Sequence, residues 1–116
     1  KKQMDWIRYE LERAAVNEDN VICFCHMPMM PLGGQYTLFN SPEVTQTLSG
    51  SPYAKAVITG HHHPGGYEMK DGIHYLSLQG MVQGEQNSYV IAEIYKDKIV
   101  IKGHGREESR IMEFKK

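Results

Sequence analysis

The chain contains six histidines, and four of them follow two apolar stretches. His26 comes directly after residues 21–25, and His61, His62 and His63 come one glycine after residues 54–59. Imidazole is the commonest metal ligand among side chains. Alternation along an extended backbone directs His61 and His63 to one side and His62 to the other. The spacing therefore predicts a metal site formed by His26, His61 and His63, although imidazole ligands alone do not identify the metal.

A polar surface turn is the alternative interpretation of the histidine triplet, and for a single histidine it would be preferred. The remaining histidines fit such ordinary roles. His74 lies within an alternating stretch and His104 within a Gly-His-Gly sequence. We expect both of them to be structural or exposed to solvent.

Hydrophobic periodicity indicates which elements position the four clustered histidines. Residues 3–16 repeat apolar side chains at three- and four-residue steps, which predicts an amphipathic helix. Residues 21–25 and 54–59 are short apolar runs typical of strands buried on both faces. Ligands of open α/β sheets bind beyond the carboxyl ends of the strands, where these histidines lie. The sequence thus predicts an α/β domain with its site at the ends of two neighbouring parallel strands.

The other elements are marked by turn residues. Ser41 is expected to cap a short helix that has Pro42 at its first helical position and ends near residue 48. From residue 67 onward the pattern alternates, and it predicts an antiparallel set of strands. This set comprises hairpins around Asp71-Gly72 and Lys96-Asp97, followed by a last strand at residues 110–114.

Composition excludes several classes of protein. The 116 residues are 41% hydrophobic and 23% charged with a net charge of −1, which is the balance of one soluble globular domain. Basic residues are scattered, so we expect no binding to nucleic acid or to an anionic membrane. No apolar stretch is long enough to cross a bilayer. We expect Cys23 and Cys25 to be reduced core thiols in a cytoplasmic protein.

The histidine blocks resemble a known family. The sequence Cys25-His26-Met27-Pro28, followed by Gly60-His61-His62-His63-Pro64-Gly65-Gly66, is similar to the last two signature blocks of the calcineurin-like metallophosphoesterases. The helix with Gln3, Trp6, Ile7 and Leu11 also resembles the one that leads into the first of these histidines. The residues from Gly72 to Leu76 and from Lys102 to Arg110 look similar to the manganese-dependent ADP-ribose/CDP-alcohol diphosphatase branch.

The resemblance implies the carboxy-terminal half of a four-layer sandwich, in which two sheets are flanked by helices. It implies that His26 and His61 ligate one divalent ion and that His63 ligates a second, with Mn favoured over Fe or Zn. The earlier Asp-x-His, Gly-Asp-x-x-Asp and Gly-Asn-His blocks do not occur in the sequence. The amino-terminal half, with the carboxylate ligands and the general acid, is therefore expected to lie outside residues 1–116. Hard divalent ions prefer oxygen ligands, so this chain alone should bind them weakly.

The reaction implied by the resemblance is hydrolysis of a phosphate ester or diphosphate by a water molecule that two metal ions activate. The loop after His26 would select the substrate, which the resemblance implies to be of nucleoside diphosphate type. Its aromatic residues Tyr36 and Phe39 could support a base or a lipid-like leaving group, with Gln35 and Asn40 as polar contacts. Packing of the loop onto the core is an equally good interpretation of its methionines and aromatic residues.

Two other classes of function remain open from the residues. A metal-binding or structural module would take up metal without hydrolysis. A globular domain whose histidines are accidental would take up none. If the amino-terminal half is missing, an exposed apolar patch is expected along the strands at residues 21–25 and 56–59, unless another chain covers it.

Overall fold

The computed structural model describes residues 2–30, 37–60, 64–80 and 87–115. Its helices and strands follow the predicted order. They are α1 (Lys2–Asn17), β1 (Val21–Cys25), α2 (Ser41–Ser49), β2 (Ala54–Thr59), β3 (Gly66–Lys70), β4 (Ile73–Ser77), β5 (Tyr89–Ile94), β6 (Lys98–His104) and β7 (Arg110–Glu113). None of the helices in these ranges has the length and apolar character needed to cross a membrane.

The strands form two sheets. The first sheet has the order β1-β2-β4-β3, and the second has the order β5-β6-β7. β1 pairs with β2 in parallel, as expected, with Cys25 opposite Thr59. The prediction of a purely antiparallel set from residue 67 onward is wrong for β4, which pairs with β2 in parallel. Asp71 and Gly72 both adopt left-handed backbone angles, and this tight turn returns the chain alongside β2.

The first sheet is covered on both faces, which makes three layers. On one face the helices contribute Met4, Leu11, Val44 and Leu48 to a buried cluster with residues of β2 and β4. On the other face the second sheet contributes Ile99, Ile101 and Met112 to a cluster with Ala56 and Leu76. Two sheets with helices on the outside confirm the α/β fold class.

The start of α2 differs from the prediction by one residue. Asn40, and not Ser41, occupies the capping position, and Asn40 makes no side-chain capping hydrogen bond. The N–H of Val44 donates to the carbonyl oxygen of Asn40 across 3.1 Å, which closes the first helical turn one residue earlier than expected. Ser41 is then inside the helix and fully buried.

β1 lies at the edge of the first sheet, and this position changes its burial. The prediction that β1 is buried on both faces is wrong, because Phe24 is 72% exposed. The expected exposure of apolar surface is seen at Phe24, whereas the other four residues of β1 are half-buried. The same expectation is wrong for residues 56–59, because β2 is buried along its whole length between β1, β4 and the second sheet. Cys23 and Cys25 are free thiols that pack against the helix-side cluster, and burial raises the pKa of Cys23.

Candidate metal and substrate site

The three parallel strands β1, β2 and β4 end at the same edge of the first sheet. A cavity of about 530 Å³ opens there. It is lined by Phe24, Cys25, His26, Ile58, Thr59, Gly60, Leu78, Gln79 and Gly80. The expectation that the site lies beyond the carboxyl ends of the strands thus corresponds to a real crevice, to which β4 adds a third strand end.

His26 is exposed at the end of β1, and the first residue after β2 holds it in place. The N–H of Gly60 donates to the carbonyl oxygen of His26 across 3.0 Å. A β-carbon added to Gly60 would lie 3.9 Å from Nδ1 of His26. A side chain at residue 60 would therefore lie next to the His26 imidazole.

The ends of β2 and β4 are joined in a similar way. The N–H of Leu78 donates to the carbonyl oxygen of Thr59 across 2.8 Å. The hydroxyl groups of Thr59 and Ser77 share a second hydrogen bond of 2.8 Å. These bonds continue the parallel pairing to the rim of the cavity. The ends of β1, β2 and β4 are therefore linked to one another by hydrogen bonds below the cavity.

The predicted metal ligands are divided between described and undescribed parts of the chain. His26 lines the cavity, whereas His61, His62 and His63 lie outside the described residues. Within the described ranges, no group of three His, Cys, Asp or Glu side chains is placed to bind a metal ion. The described cavity lining contains an imidazole and no carboxylate. This donor set fits a site that takes imidazole ligands from this chain and carboxylate ligands from elsewhere. A shared metal site of His26, His61 and His63 stays a prediction.

The loop after His26 begins and ends close together, since the N–H of Leu38 donates to the carbonyl oxygen of Pro28 across 2.8 Å. Met29 is buried in the helix-side cluster, so the packing interpretation holds for this residue. Gln35 and Tyr36 lie outside the described residues. Phe39, 95% exposed, and Asn40 line a groove of about 970 Å³ between α1 and β1, not the cavity at the strand ends. Their contact with substrate stays a prediction.

A third wall of the cavity, residues 78–80, was not anticipated from the sequence. Arg106 and Glu107, in the loop after β6, hold it through hydrogen bonds to Gln79 and Gly80. The alternating pattern at residues 73–78 signalled only a hairpin. Tyr75 and Leu76 are adjacent in β4, and this break in the alternation could have suggested a strand inside a sheet, whose carboxyl end would then reach the same edge.

His74 and His104 have the structural and exposed roles expected of them. His74 is buried, and its Nε2 donates to the carbonyl oxygen of Glu113 across 2.6 Å, since a carbonyl can only accept. Nδ1 then accepts from the hydroxyl of Tyr67, also across 2.6 Å. His104 is exposed and stacks on Tyr89 with ring centres 4.7 Å apart.

Comparison with known proteins supports the resemblance found in the sequence. No family model matches the sequence. The manganese-dependent ADP-ribose/CDP-alcohol diphosphatase of Xenopus tropicalis is 31% identical over 97% of this chain, which covers 34% of that protein. Its human counterpart is 27% identical over 99% of this chain, which covers 35% of that protein. The chain thus spans about a third of the length of the curated relatives it matches.

A solved structure shows the same fold. The crystal structure of a dimetal phosphatase from Danio rerio superposes with a TM-score of 0.91 and 25% sequence identity. The match covers 99% of this chain and 38% of that one, which is consistent with one half of a larger sandwich. The resemblance found in the histidine blocks is therefore confirmed: nearly the whole chain is similar to manganese-dependent ADP-ribose/CDP-alcohol diphosphatases, and it has the fold of the matching part of a dimetal phosphatase, which is calcineurin-like.

Proposed function

We propose that residues 1–116 are the carboxy-terminal part of a metallophosphoesterase domain that hydrolyses a phosphate ester or diphosphate. The observation that carries this proposal is the meeting of three parallel strand ends around a cavity that His26 lines. The relatives named as manganese-dependent diphosphatases and the dimetal phosphatase support the reaction class. The substrate we propose is a nucleoside diphosphate ester, the class that includes ADP-ribose.

In this proposal His26 and His61 hold one divalent ion and His63 holds the other, with Mn²⁺ as the favoured metal. When bound, the two ions supply an acidified water and positive charge for the phosphoryl oxygens. Neutral imidazoles suit this task because they bind a cation without cancelling its charge. The hydrogen bond from Gly60 to the backbone of His26 keeps the two ligand-bearing segments together.

Substrate contacts in this proposal come from the loop after His26, through Gln35, Tyr36, Phe39 and Asn40. Phe39 supports the idea because an almost fully exposed phenyl ring is free to stack on a base. The mainly apolar lining of the cavity, with Phe24, Ile58 and Leu78, would exclude water from the substrate.

The remaining part of the domain is proposed to be an amino-terminal half that supplies the carboxylate ligands and the general acid. The exposed edge of the first sheet supports this idea, because Phe24 and Trp6 present apolar surface along the groove between α1 and β1. An edge strand with unpaired backbone groups is normally covered or continued by another strand. We further propose a cytoplasmic location, since free cysteines are typical of reducing compartments.

The test compares the complete protein with the 116-residue chain. Both are incubated with Mn²⁺, Zn²⁺ or Fe²⁺, analysed for bound metal, and assayed with ADP-ribose and bis-p-nitrophenyl phosphate. We expect two ions and hydrolysis for the complete protein, and weak metal binding without turnover for the 116-residue chain. Metal uptake without hydrolysis by the complete protein would favour a structural module instead. The absence of metal uptake would contradict both functions.

A further inference from the structure

Residues 78–80 form a wall of the cavity that is held from outside the first sheet. Beyond the bond from Leu78 to Thr59, the hydrogen bonds of this wall within the described residues come from the loop that follows β6. The backbone N–H of Gln79 donates to the carboxylate of Glu107. The guanidinium of Arg106 donates through Nη2 to the carbonyl oxygen of Gly80 and through Nη1 to Oε1 of Gln79, the latter across 3.3 Å. A loop of the second sheet thus forms hydrogen bonds with both the backbone and a side chain of the wall.

The wall also donates a hydrogen bond to the loop, and the loop is in turn bonded to Ser88. Nε2 of Gln79 donates back to the carbonyl oxygen of Arg106 across 2.7 Å. The N–H of Arg106 donates to the hydroxyl of Ser88 across 3.3 Å. Gly105 has a φ of +69°, and a β-carbon there would lie 1.7 Å from the carbonyl oxygen of Asn87, so only glycine lets the loop approach this closely.

The wall contributes shape to the cavity more than chemical groups. Both polar ends of the Gln79 side chain are engaged by Arg106, so this amide is not a spare hydrogen-bonding group. Leu78 and Gly80 bring an aliphatic side chain and bare backbone to the lining. Such a surface suits the flat face of a heteroaromatic base beside the phosphates.

We propose that Arg106 and Glu107 are positioning residues that set substrate specificity by fixing this wall against the nucleoside part of a diphosphate ester. This inference rests on the proposed function. Neither residue is a proposed metal ligand, and each acts on the cavity through Gln79 or Gly80. Their loss should therefore weaken the binding of a substrate that reaches the wall and spare a small substrate that occupies only the metal end.

The experiment measures kcat and KM of the complete manganese-loaded protein for ADP-ribose and for bis-p-nitrophenyl phosphate. Arg106→Lys keeps the charge but loses the planar fork that reaches Gln79 and Gly80 together. Glu107→Ala removes the acceptor for the Gln79 N–H, whereas Glu107→Gln retains one. Arg13→Lys is the matched control, because Arg13 lies on the exposed surface of α1, paired only with Glu10 among the contacts found in the described residues.

For Arg106→Lys and Glu107→Ala we expect KM for ADP-ribose to rise about 10-fold, the scale of one lost hydrogen bond. Their kcat, their manganese content and their kinetics with the small substrate should stay at the parental values. Glu107→Gln should keep a nearly parental KM. Thermal melts of both Glu107 variants check that a change in KM does not result from a loss of folded protein. The Glu107 pair alone decides the matter if Arg106→Lys does not fold.

Equal losses on both substrates, a loss of manganese, or an unchanged KM for ADP-ribose in Glu107→Ala would overturn the inference and leave the proposed function standing. Failure of the parent protein to hydrolyse either substrate would instead overturn the proposed function, and the inference with it.

Discussion

The backbone N–H of Gly60 donates to the carbonyl oxygen of His26 across 3.0 Å, and no side chain on residue 60 separates the two segments. This bond extends the parallel pairing of β1 and β2 one residue past Cys25 and Thr59. It places Gly60 beside the backbone of His26. His26 and the residue that precedes the predicted ligand His61 are thus joined, although they are far apart in sequence.

Substitutions at Gly60 should report on this contact. A β-carbon there would meet the carbonyl oxygen of His26 at 3.8 Å and Nδ1 at 3.9 Å, which is ordinary van der Waals contact. We therefore expect Gly60→Ala to retain nearly full activity. The branched side chain of Gly60→Val would crowd the imidazole and should reduce manganese affinity about 10- to 100-fold, as for other losses of ligand support. Manganese titration of the complete protein checks this order, and equal affinities for the two variants would contradict it.

The histidine triplet should separate into ligands and a spacer. In the complete protein, His61→Ala, His63→Ala and His26→Ala should each lower kcat/KM by more than the roughly 10- to 100-fold typical of residues that only support a ligand. His62→Ala should change kcat/KM far less, because alternation directs its side chain away from the site. Steady-state kinetics and bound-metal analysis provide the measurement. A similar loss from His62→Ala and from its two neighbours would refute the assignment.

His74 should matter for stability. His74→Phe would deprive the Tyr67 hydroxyl and the Glu113 carbonyl oxygen of their partner, and so would break a link between β4 and β7. We expect a loss of about 1–3 kcal/mol in the free energy of unfolding, the usual cost of unsatisfied buried polar groups. His104→Ala is the control, since His104 is exposed. Urea denaturation gives both values, and equal effects would show that the His74 bonds contribute no more than the exposed stack of His104 on Tyr89.

Tyr75 should make stability depend on alkaline pH. Burial raises its pKa from 10.0 to about 12, and its buried hydroxyl has no hydrogen-bond partner in the described part of the chain. The folded state keeps the proton that the unfolded state loses, so stability present below pH 10 should fall as pH rises toward 12. The contribution of one group is at most about 1.4 kcal/mol per pH unit.

The matched variant is Tyr75→Phe, which keeps the ring and removes the unsatisfied hydroxyl. Its free energy of unfolding at neutral pH should equal or exceed that of the parent by up to about 1 kcal/mol. Its stability should fall less steeply in alkaline solution. Urea titrations at several pH values from neutral to alkaline test both statements, and superimposable pH profiles would show that Tyr75 does not titrate in this way.

The exposed edge of β1 should make the 116-residue chain self-associate. Phe24 is exposed on this edge and lines the groove beside α1. Phe24→Ser should shift the chain toward monomer in sedimentation velocity. Tyr9→Ser should not, because Tyr9 is similarly exposed but does not line the groove. In the complete protein Phe24→Ser should cost about 1.5–3 kcal/mol of stability, the value of burying one such side chain. A monomeric parent chain would contradict the expectation.

The sequence by itself determined most of the elements and the family resemblance. Apolar periodicity specified α1, β1 and β2 to within a residue or so, because each segment buries one face or a short continuous run. The residue types and order of the histidine blocks were enough to identify the family. The placement of His26 at a strand end also followed, because His26 comes directly after the apolar run of β1. Strand ends are where an α/β sheet binds its ligands.

Only the tertiary structure decided how the elements are arranged around the cavity. Whether β4 pairs with β2, and whether β1 is central or at an edge, depends on pairing between distant segments, which an apolar run does not encode. The same holds for the wall at Gln79 and the loop at Arg106, which are 27 residues apart in sequence. Local preferences extend over a few neighbouring residues, whereas these contacts arise only when the two sheets pack together, so they could not be deduced from the sequence.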